Sequence, residues 1–349
     1  MQTEATRRLG IAHPIVQGPF GGGLSTPHLA SAVSELGGLG SFGAHFVAPD
    51  DLAGVAAKIR AGTAKPFALN LWVSDHDPGG DALTQGELDR AYAVVEPYFR
   101  ELGVAKPVLP ARFGYRFDDQ VEALLAVAPP VFSFVFGVPA PAVLAACKQR
   151  GIVTAGAATT IAEGRALDEA GVDLIVASGC EAGGHRPSFL ARSEDSLMGT
   201  FALVQLLADR VKAPVIAAGG ITDGRGIRAA LTLGAQAAQL GTAFLACEES
   251  NATQAHRELL FSERAEHTTL TRGFTGRLAR GLANRWTREQ TTALLPYPIQ
   301  SWLLGQLRPA AIAAGVTDLI SLWSGQCAPN LRHHTVPSLM AALTSDLST

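Results

Sequence analysis

The sequence predicts an α/β protein, a (β/α)8 TIM barrel carrying a smaller, mainly helical second domain. Three observations lead there. Short strand-like runs alternate with helical stretches over most of the chain. Eight such runs occur before the pattern stops, the number one barrel needs. Several are continuously apolar instead of alternating, as expected of parallel strands covered on both faces.

The runs span residues 14–17, 38–42, 66–71, 131–136, 151–154, 173–177, 214–218 and 237–241. Helical patterns between them cover 27–36, 49–61, 118–127, 161–170 and 224–233. Two regions break the rhythm. Residues 72–111 are too many for a βα loop and hold a helical stretch at 86–102. After Cys247 the strand pattern gives way to helical and loop-like sequence punctuated by Pro296, Pro298 and Pro309. The expected barrel is therefore 1–71 with 112–266, and the tail 325–349 returns to it. Residues 72–111 and 267–324 are expected to pack together as a substrate lid over the barrel mouth.

Composition narrows the function classes. The chain has 349 residues, 47% of them hydrophobic and 17% charged, with a net charge of −3. No basic run offers a nucleic-acid surface. No apolar stretch approaches the roughly 18 residues of a membrane helix. The first residues, MQTEATRRLG, lack a charged-then-apolar leader pattern, so a cytoplasmic protein is expected. Cys147, Cys180, Cys247 and Cys327 form no CxxC pair, which argues against a disulfide framework and a metal site. Cys147 and Cys247 read as buried small hydrophobes, and Cys180 as a minor nucleophile candidate.

In a barrel the loops after the strands form the catalytic face. The first run ends in Gln17, Gly18, Pro19 and Phe20, and the third ends near Asn70. The seventh ends in Gly219 and Gly220, with Thr222 and Asp223 before a helix; the eighth supplies Gln239, Gly241 and Thr242. Glycines at such places let backbone N–H groups approach an anion, and a helix N-terminus adds favourable polarity, so these two loops read as a phosphate site. The plainer alternative is tight turns with Asp223 as a helix cap.

The sixth run opens into SGCEAGGHRPSF, residues 178–189. Ser178 stands at the strand end, Gly183 and Gly184 permit close approach to a flat ligand, and His185 follows at the mouth. Histidine has the side-chain pKa nearest neutrality, which suits proton transfer or stabilisation of a developing anion. Glu181 reads as orienting a neighbouring loop or pairing with an arginine. Of the other histidines, His45 is the second candidate.

The segments GCEAGGHRPSF, PVIAAGGITDG, AAQLGTAF and TRGFTGRLARGLAN closely resemble the nitronate monooxygenases, formerly called 2-nitropropane dioxygenases. So do PIVQGPFGGGLSTPHLASAVSELGGLGSFGA, PFALNLW, LPYPIQ and LWSGQ, and together they cover nearly the whole chain. The resemblance implies FMN, bound without a covalent link. It assigns the flavin to residues 17–20, Asn70 and Gly183, and the phosphate to Gly219, Gly220, Gly241 and Thr242 with Gln239 beside them. It makes His185 the catalytic residue and has Tyr297 and the segment 324–326, including Gln326, close the pocket. Two positions depart from the family: Ser178 stands where glutamine is usual, and Phe20 where methionine is usual.

The implied reaction takes a small-molecule nitronate, or a nitroalkane, and O2 to a carbonyl compound and nitrite. His185 then either stabilises the anion or removes an α-proton. No GxGxxG fingerprint follows a strand, so no Rossmann dinucleotide site is expected. Alternative functions are an NAD(P)H-dependent quinone reductase or enoyl-acyl carrier protein reductase of the same barrel type, and a non-enzymatic flavin-binding protein. Monomer and homodimer are both compatible with the sequence.

Overall fold

In the computed structural model, which describes residues 2–348, eight parallel strands close on themselves. Residues 1 and 349, the outer limits of the expected spans, lie outside the described residues. The barrel strands are β1 (Ile15–Gln17), β2 (Gly40–Gly43), β3 (Phe67–Trp72), β4 (Val131–Val135), β5 (Val153–Ala158), β6 (Leu174–Ser178), β8 (Val215–Ala218) and β9 (Ala237–Leu240). Their order is β1-β9-β8-β6-β5-β4-β3-β2. The ring closes where Val16 bridges Leu39 and the Gln17 amide donates to the Leu39 carbonyl at 2.9 Å. Each strand overlaps one of the runs read from the sequence.

The continuous apolar runs have a direct cause. Successive residues of a strand point to opposite faces, and here both faces are dry. Val16, Ala68, Val131, Ala155, Leu174, Val176 and Ile216 share one buried cluster inside the barrel. Ile15, Leu69, Phe132, Phe134, Ile175, Val215 and Leu240 belong to the cluster between strands and helices. Burying one such side chain contributes roughly 1.5–3 kcal/mol. The helix Glu4–Leu9 plugs the lower end, with Ala5, Leu9 and Ile11 joining the inner cluster. Its Thr3 cap donates to the Gln236 carbonyl at 2.6 Å and Arg8 to the Asp173 carbonyl at 2.9 Å, both just before strands begin. The helix Val336–Ser348 packs against the helices Pro27–Glu35 and Gly224–Thr232 and sends Val336, Leu339, Met340 and Leu343 into the outer cluster.

At the upper end lies the helix Gln85–Glu101, started by a capping box between Thr84 and Glu87. Leu88, Ala91, Val95, Tyr98 and Phe99 fall on one face at helical spacing. They pack against Phe274, Trp286, Leu303, Leu304, Leu307 and Leu319. The region after Cys247 is not only helix and loop, as the sequence suggested. β10 (Thr268–Thr271) and β11 (Ala279–Leu282) pair antiparallel, and β11 also pairs with the two-residue strand β7 (Gly184–His185). These strands are four residues at most and carry threonine and arginine, so they show no apolar alternation to read.

Candidate active site

The loop that leaves β6 is tied down by two charged side chains. Arg186, only 1% exposed, donates to the carbonyls of Ser178 at 3.0 Å, Gly179 at 2.7 Å and Ser196 at 2.6 Å. Glu181 accepts from the Thr200 amide at 2.9 Å and the Thr200 hydroxyl at 2.9 Å, where the helix Thr200–Ala208 begins. This is the loop-orienting role read from the sequence. Farther on, buried Glu163 accepts from the amides of Phe189 at 2.6 Å and Leu190 at 3.1 Å. The acid and the arginine of the loop are its scaffold, which leaves its histidine free for another task.

The loop borders a cavity of about 520 Å³ above the C-terminal ends of the strands, within the usual size range of ligand sites. Gly18, Pro19, Phe20 and Asn70 line it from β1 and β3. Ser178, Gly183, Gly184 and His185 line it from the β6 side. Gly219, Gly220, Gln239, Gly241 and Thr242 line it from β8 and β9. Two expected residues are placed elsewhere. Gln17 is fully buried in the barrel wall, where its side chain bonds to the Gly18 carbonyl and accepts from the Ser41 amide at 2.8 Å. Gln326 is exposed, and its backbone N–H donates to the Glu181 carbonyl at 3.0 Å. Neither side chain lines the cavity.

Among the described residues, the N–H groups of Gly219, Gly220, Gly241 and Thr242 donate to no protein acceptor. Buried or half-buried amides left this way ask for an anion or for water. A Cβ added at Gly241 would meet nothing within 4 Å, so this glycine leaves open space on the cavity side. Such a donor set beside a short helix start suits a phosphate. Among the described residues no carboxylate lines the cavity, and Arg308 is the one charged side chain on its wall. Its guanidinium has no hydrogen bond, ion pair or aromatic partner among the described residues.

His185 stands in an aromatic wall. Trp72 meets it edge-on at 4.9 Å between ring centroids, and Trp323 lies at 5.4 Å. Its Nε2 is 2.9 Å from the Thr275 hydroxyl. Behind it Arg277, 5% exposed, donates to Asp77 at 3.0 Å and to the Ser74 carbonyl at 3.0 Å. The same guanidinium lies 4.2 Å from the Phe136 centroid and 4.3 Å from that of Tyr297, a cation held against π faces. Burial, aided by the Arg277 charge, pushes the His185 pKa down to about 3, so the imidazole is neutral at neutral pH. Phe136, at the end of β4, holds a left-handed backbone with φ 65°, an uncommon state for a bulky residue and one that accompanies its place over Arg277.

His45, the second candidate, is buried and bonded through Nε2 to the Tyr297 hydroxyl. It does not line the cavity; Tyr297 does. Burial raises the Cys180 thiol, with Glu181 adding to the effect, so this cysteine has no thiolate character that would make it a nucleophile. Cys147 and Cys247 are fully buried, as expected. Sequence reasoning missed Trp72, Phe136, Thr275, Arg277 and Arg308. Two of them end strands β3 and β4, and Thr275 and Arg277 lie inside TRGFTGRLARGLAN. Their meeting point is set by tertiary packing, and only the motif gave a signal.

The family profile described as nitronate monooxygenase matches residues 2–346. A Staphylococcus aureus protein named "Probable nitronate monooxygenase" is 36% identical, over 99% of this chain and 98% of its own. Among solved structures, a nitroalkane oxidase from Streptomyces ansochromogenes superposes with a TM-score of 0.89 at 36% identity, covering 99% of this chain and 97% of that one. FabK from Thermotoga maritima superposes with a TM-score of 0.75 at 29% identity, covering 100% and 96%.

Proposed function

The chain belongs to the nitronate monooxygenase family, and we propose that it oxidises alkyl nitronates, with O2 as electron acceptor, to a carbonyl compound and nitrite. It is an oxidoreductase of a flavin-dependent family. The observation that carries the reading is the meeting of a neutral, half-buried histidine with a cavity whose lining, among the described residues, holds one unpaired cation and no carboxylate. A nitronate is a small planar anion, and that electrostatic balance favours it over a neutral or cationic ligand.

The flavin is FMN in this reading. One cradle of unpartnered N–H groups, at Gly219, Gly220, Gly241 and Thr242, supports one phosphate. Gly18, Phe20, Asn70, Ser178 and Gly183 would border the rings. The chemistry a flavin supplies here is electron transfer from the nitronate onward to O2. The chain's own residues bind, orient and exclude water. His185 is the catalytic residue that faces the nitronate, supported by its place on the cavity wall. Trp72, Phe136 and Trp323 limit its motion and keep the surroundings apolar. Residues 72–111 and 267–324 act as the lid, supported by the apolar cluster they share. Among the described residues, no helix is long and apolar enough to cross a membrane. A cytoplasmic setting is part of the proposal, and four free cysteines are in keeping with it.

The FabK likeness, at the lower TM-score, keeps an NAD(P)H-dependent flavin reductase as the competing function. One anaerobic experiment separates them. Flavin absorbance should bleach on adding a nitronate and recover with O2, with nitrite released. Bleaching by NADH and not by nitronate would overturn the reading.

A further inference from the structure

The hydrogen bonds behind His185, taken with an anionic ligand in the cavity, decide which of its nitrogens carries the proton. The Thr275 hydroxyl accepts from the Arg277 amide at 3.3 Å. It has two acceptors in reach for its own proton: the Arg277 carbonyl at 3.2 Å and His185 Nε2 at 2.9 Å. Among the described residues His185 Nδ1 has no hydrogen-bond partner, and it is not sealed from the cavity that the residue lines. The histidine therefore presents Nδ1 to whatever occupies the site.

Three protonation states are open to an imidazole so placed. The doubly protonated cation is disfavoured, because the ring is desolvated and Arg277 lies behind it. The charged and titratable groups around it are Arg277, the Asp77 paired with that arginine, Tyr297, and His45 beyond Trp72. None is a carboxylate in contact with the ring. The neutral form protonated on Nε2 would point an Nδ1 lone pair at an anionic ligand. The neutral form protonated on Nδ1 accepts from Thr275 on one side and donates into the cavity on the other. Only this last state satisfies both nitrogens with a nitronate present.

We infer that Thr275 is a positioning residue that holds His185 in its Nδ1-protonated neutral form, so that a chain of donors runs from the Arg277 amide through the Thr275 hydroxyl and the imidazole to an oxygen of the nitronate. The inference rests on the function proposed above and deepens it. His185 then acts as a neutral electrophile of the kind seen where a neighbouring dipole or charge keeps a histidine un-ionised. No proton leaves the ring during the reaction. The preformed nitronate is thus the substrate, and a neutral nitroalkane, which needs a base, is turned over poorly.

The test compares Thr275→Val, which keeps the shape and loses the hydroxyl, with Thr275→Ser, which keeps it. ¹⁵N spectra of histidine-labelled holoenzyme, with His185→Gln to identify the signal, report the tautomer without any turnover. The wild type and Thr275→Ser should show Nδ1 protonated and Nε2 bare between pH 6 and 9, and Thr275→Val should lose that pattern. With the nitronate of nitroethane, Thr275→Val should lower kcat by about 10–100-fold, less than the roughly 10²–10³-fold of losing such a donor outright because the imidazole remains, with KM little changed. Thr275→Ser should lie within a few-fold of wild type. A wild-type ring protonated on Nε2, or a valine variant equal to wild type in both readouts, overturns the inference. If the spectra match and the nitronate is still not oxidised, the positioning by Thr275 stands and the proposed function fails.

Discussion

Trp72 lies flat against His45, with 4.1 Å between ring centroids and 8° between planes. The stack helps seal His45 Nδ1, which has no partner, while Nε2 is bonded to Tyr297. Burial first, then the charge of Arg277, push the His45 pKa to about 3. His256, buried with its Nε2 near the Trp323 carbonyl, is pushed down to about 4, chiefly by burial. Both fold as neutral rings, and the unfolded chain takes up their protons first, near the ordinary value of 6.5.

Acid should therefore weaken the fold in a defined window. The stabilisation from neutral burial is complete above pH 6.5 and is lost as the pH falls toward 4. Each histidine contributes a slope of at most about 1.4 kcal/mol per pH unit. Urea midpoints from pH 8 to 5 should be level at first and drop below pH 6.5. A level profile down to pH 5 contradicts the neutral burial of this pair.

Gly241→Ala separates folding from cofactor binding. The added Cβ would meet no protein atom within 4 Å, and the residue has a negative φ of −97°. The melting temperature of flavin-free protein should move by less than about 3 °C. Affinity for FMN should fall at least about tenfold, because the methyl enters the cradle. At Gly183 a Cβ would lie 2.6 Å from the Gly325 nitrogen, so Gly183→Ala should destabilise the protein itself. Unchanged FMN affinity in Gly241→Ala would place the phosphate elsewhere.

His185→Ala should lower kcat for a nitronate by roughly 10²–10³-fold, the effect of losing one donor to a developing or resident negative charge. Asparagine retains an N–H donor, so His185→Asn should lose less. Both should purify with their flavin, since the cradle stands on β8 and β9. Steady-state kinetics and flavin content check this. Full activity in the alanine variant would falsify the catalytic assignment.

Arg308→Gln removes the one charge on the cavity wall. It should raise KM for nitronate by about 5–10-fold and leave kcat nearly unchanged, the pattern of lost uniform binding. Added salt should raise KM of the wild type and leave the variant less affected. A fall in kcat with unaltered KM would mean that Arg308 acts on the reacting group.

The sequence made the barrel legible because each strand is dry on both sides. Ile15, Leu69 and Ile175 meet helices while Val16, Ala68 and Leu174 meet the barrel interior, so whole runs are apolar. The glycines at 219, 220 and 241 were legible for a similar reason: they sit at strand ends where backbone approach matters. The side chain of Gln17 turns into the barrel wall, and its position at a strand end says nothing about which way its amide turns. Its partner is the Ser41 amide of the neighbouring strand. β10 and β11 were invisible because they are short and mixed in polarity. Nothing in the sequence sets Arg277 apart from the other arginines of its motif; its place against Phe136 and Tyr297 comes from tertiary packing.

The strand pairing of His185 carries a mechanical consequence. His185 faces Ala279 and Gly184 faces Arg280 across the β7–β11 ladder, and the Arg186 amide donates to the Leu278 carbonyl at 2.8 Å. Arg280 adds a bond to the Cys180 carbonyl at 2.9 Å. The β10–β11 hairpin is thus hydrogen-bonded to the segment that bears the imidazole, and Thr275 sits on the turn of that hairpin. If this hairpin swings outward, it pulls the histidine out of line at the same moment. Access and alignment form a single interlock, and an opened molecule is chemically silent. Ligand exchange through an opening of this lid segment then displaces the imidazole, and turnover resumes only once the hairpin has docked again.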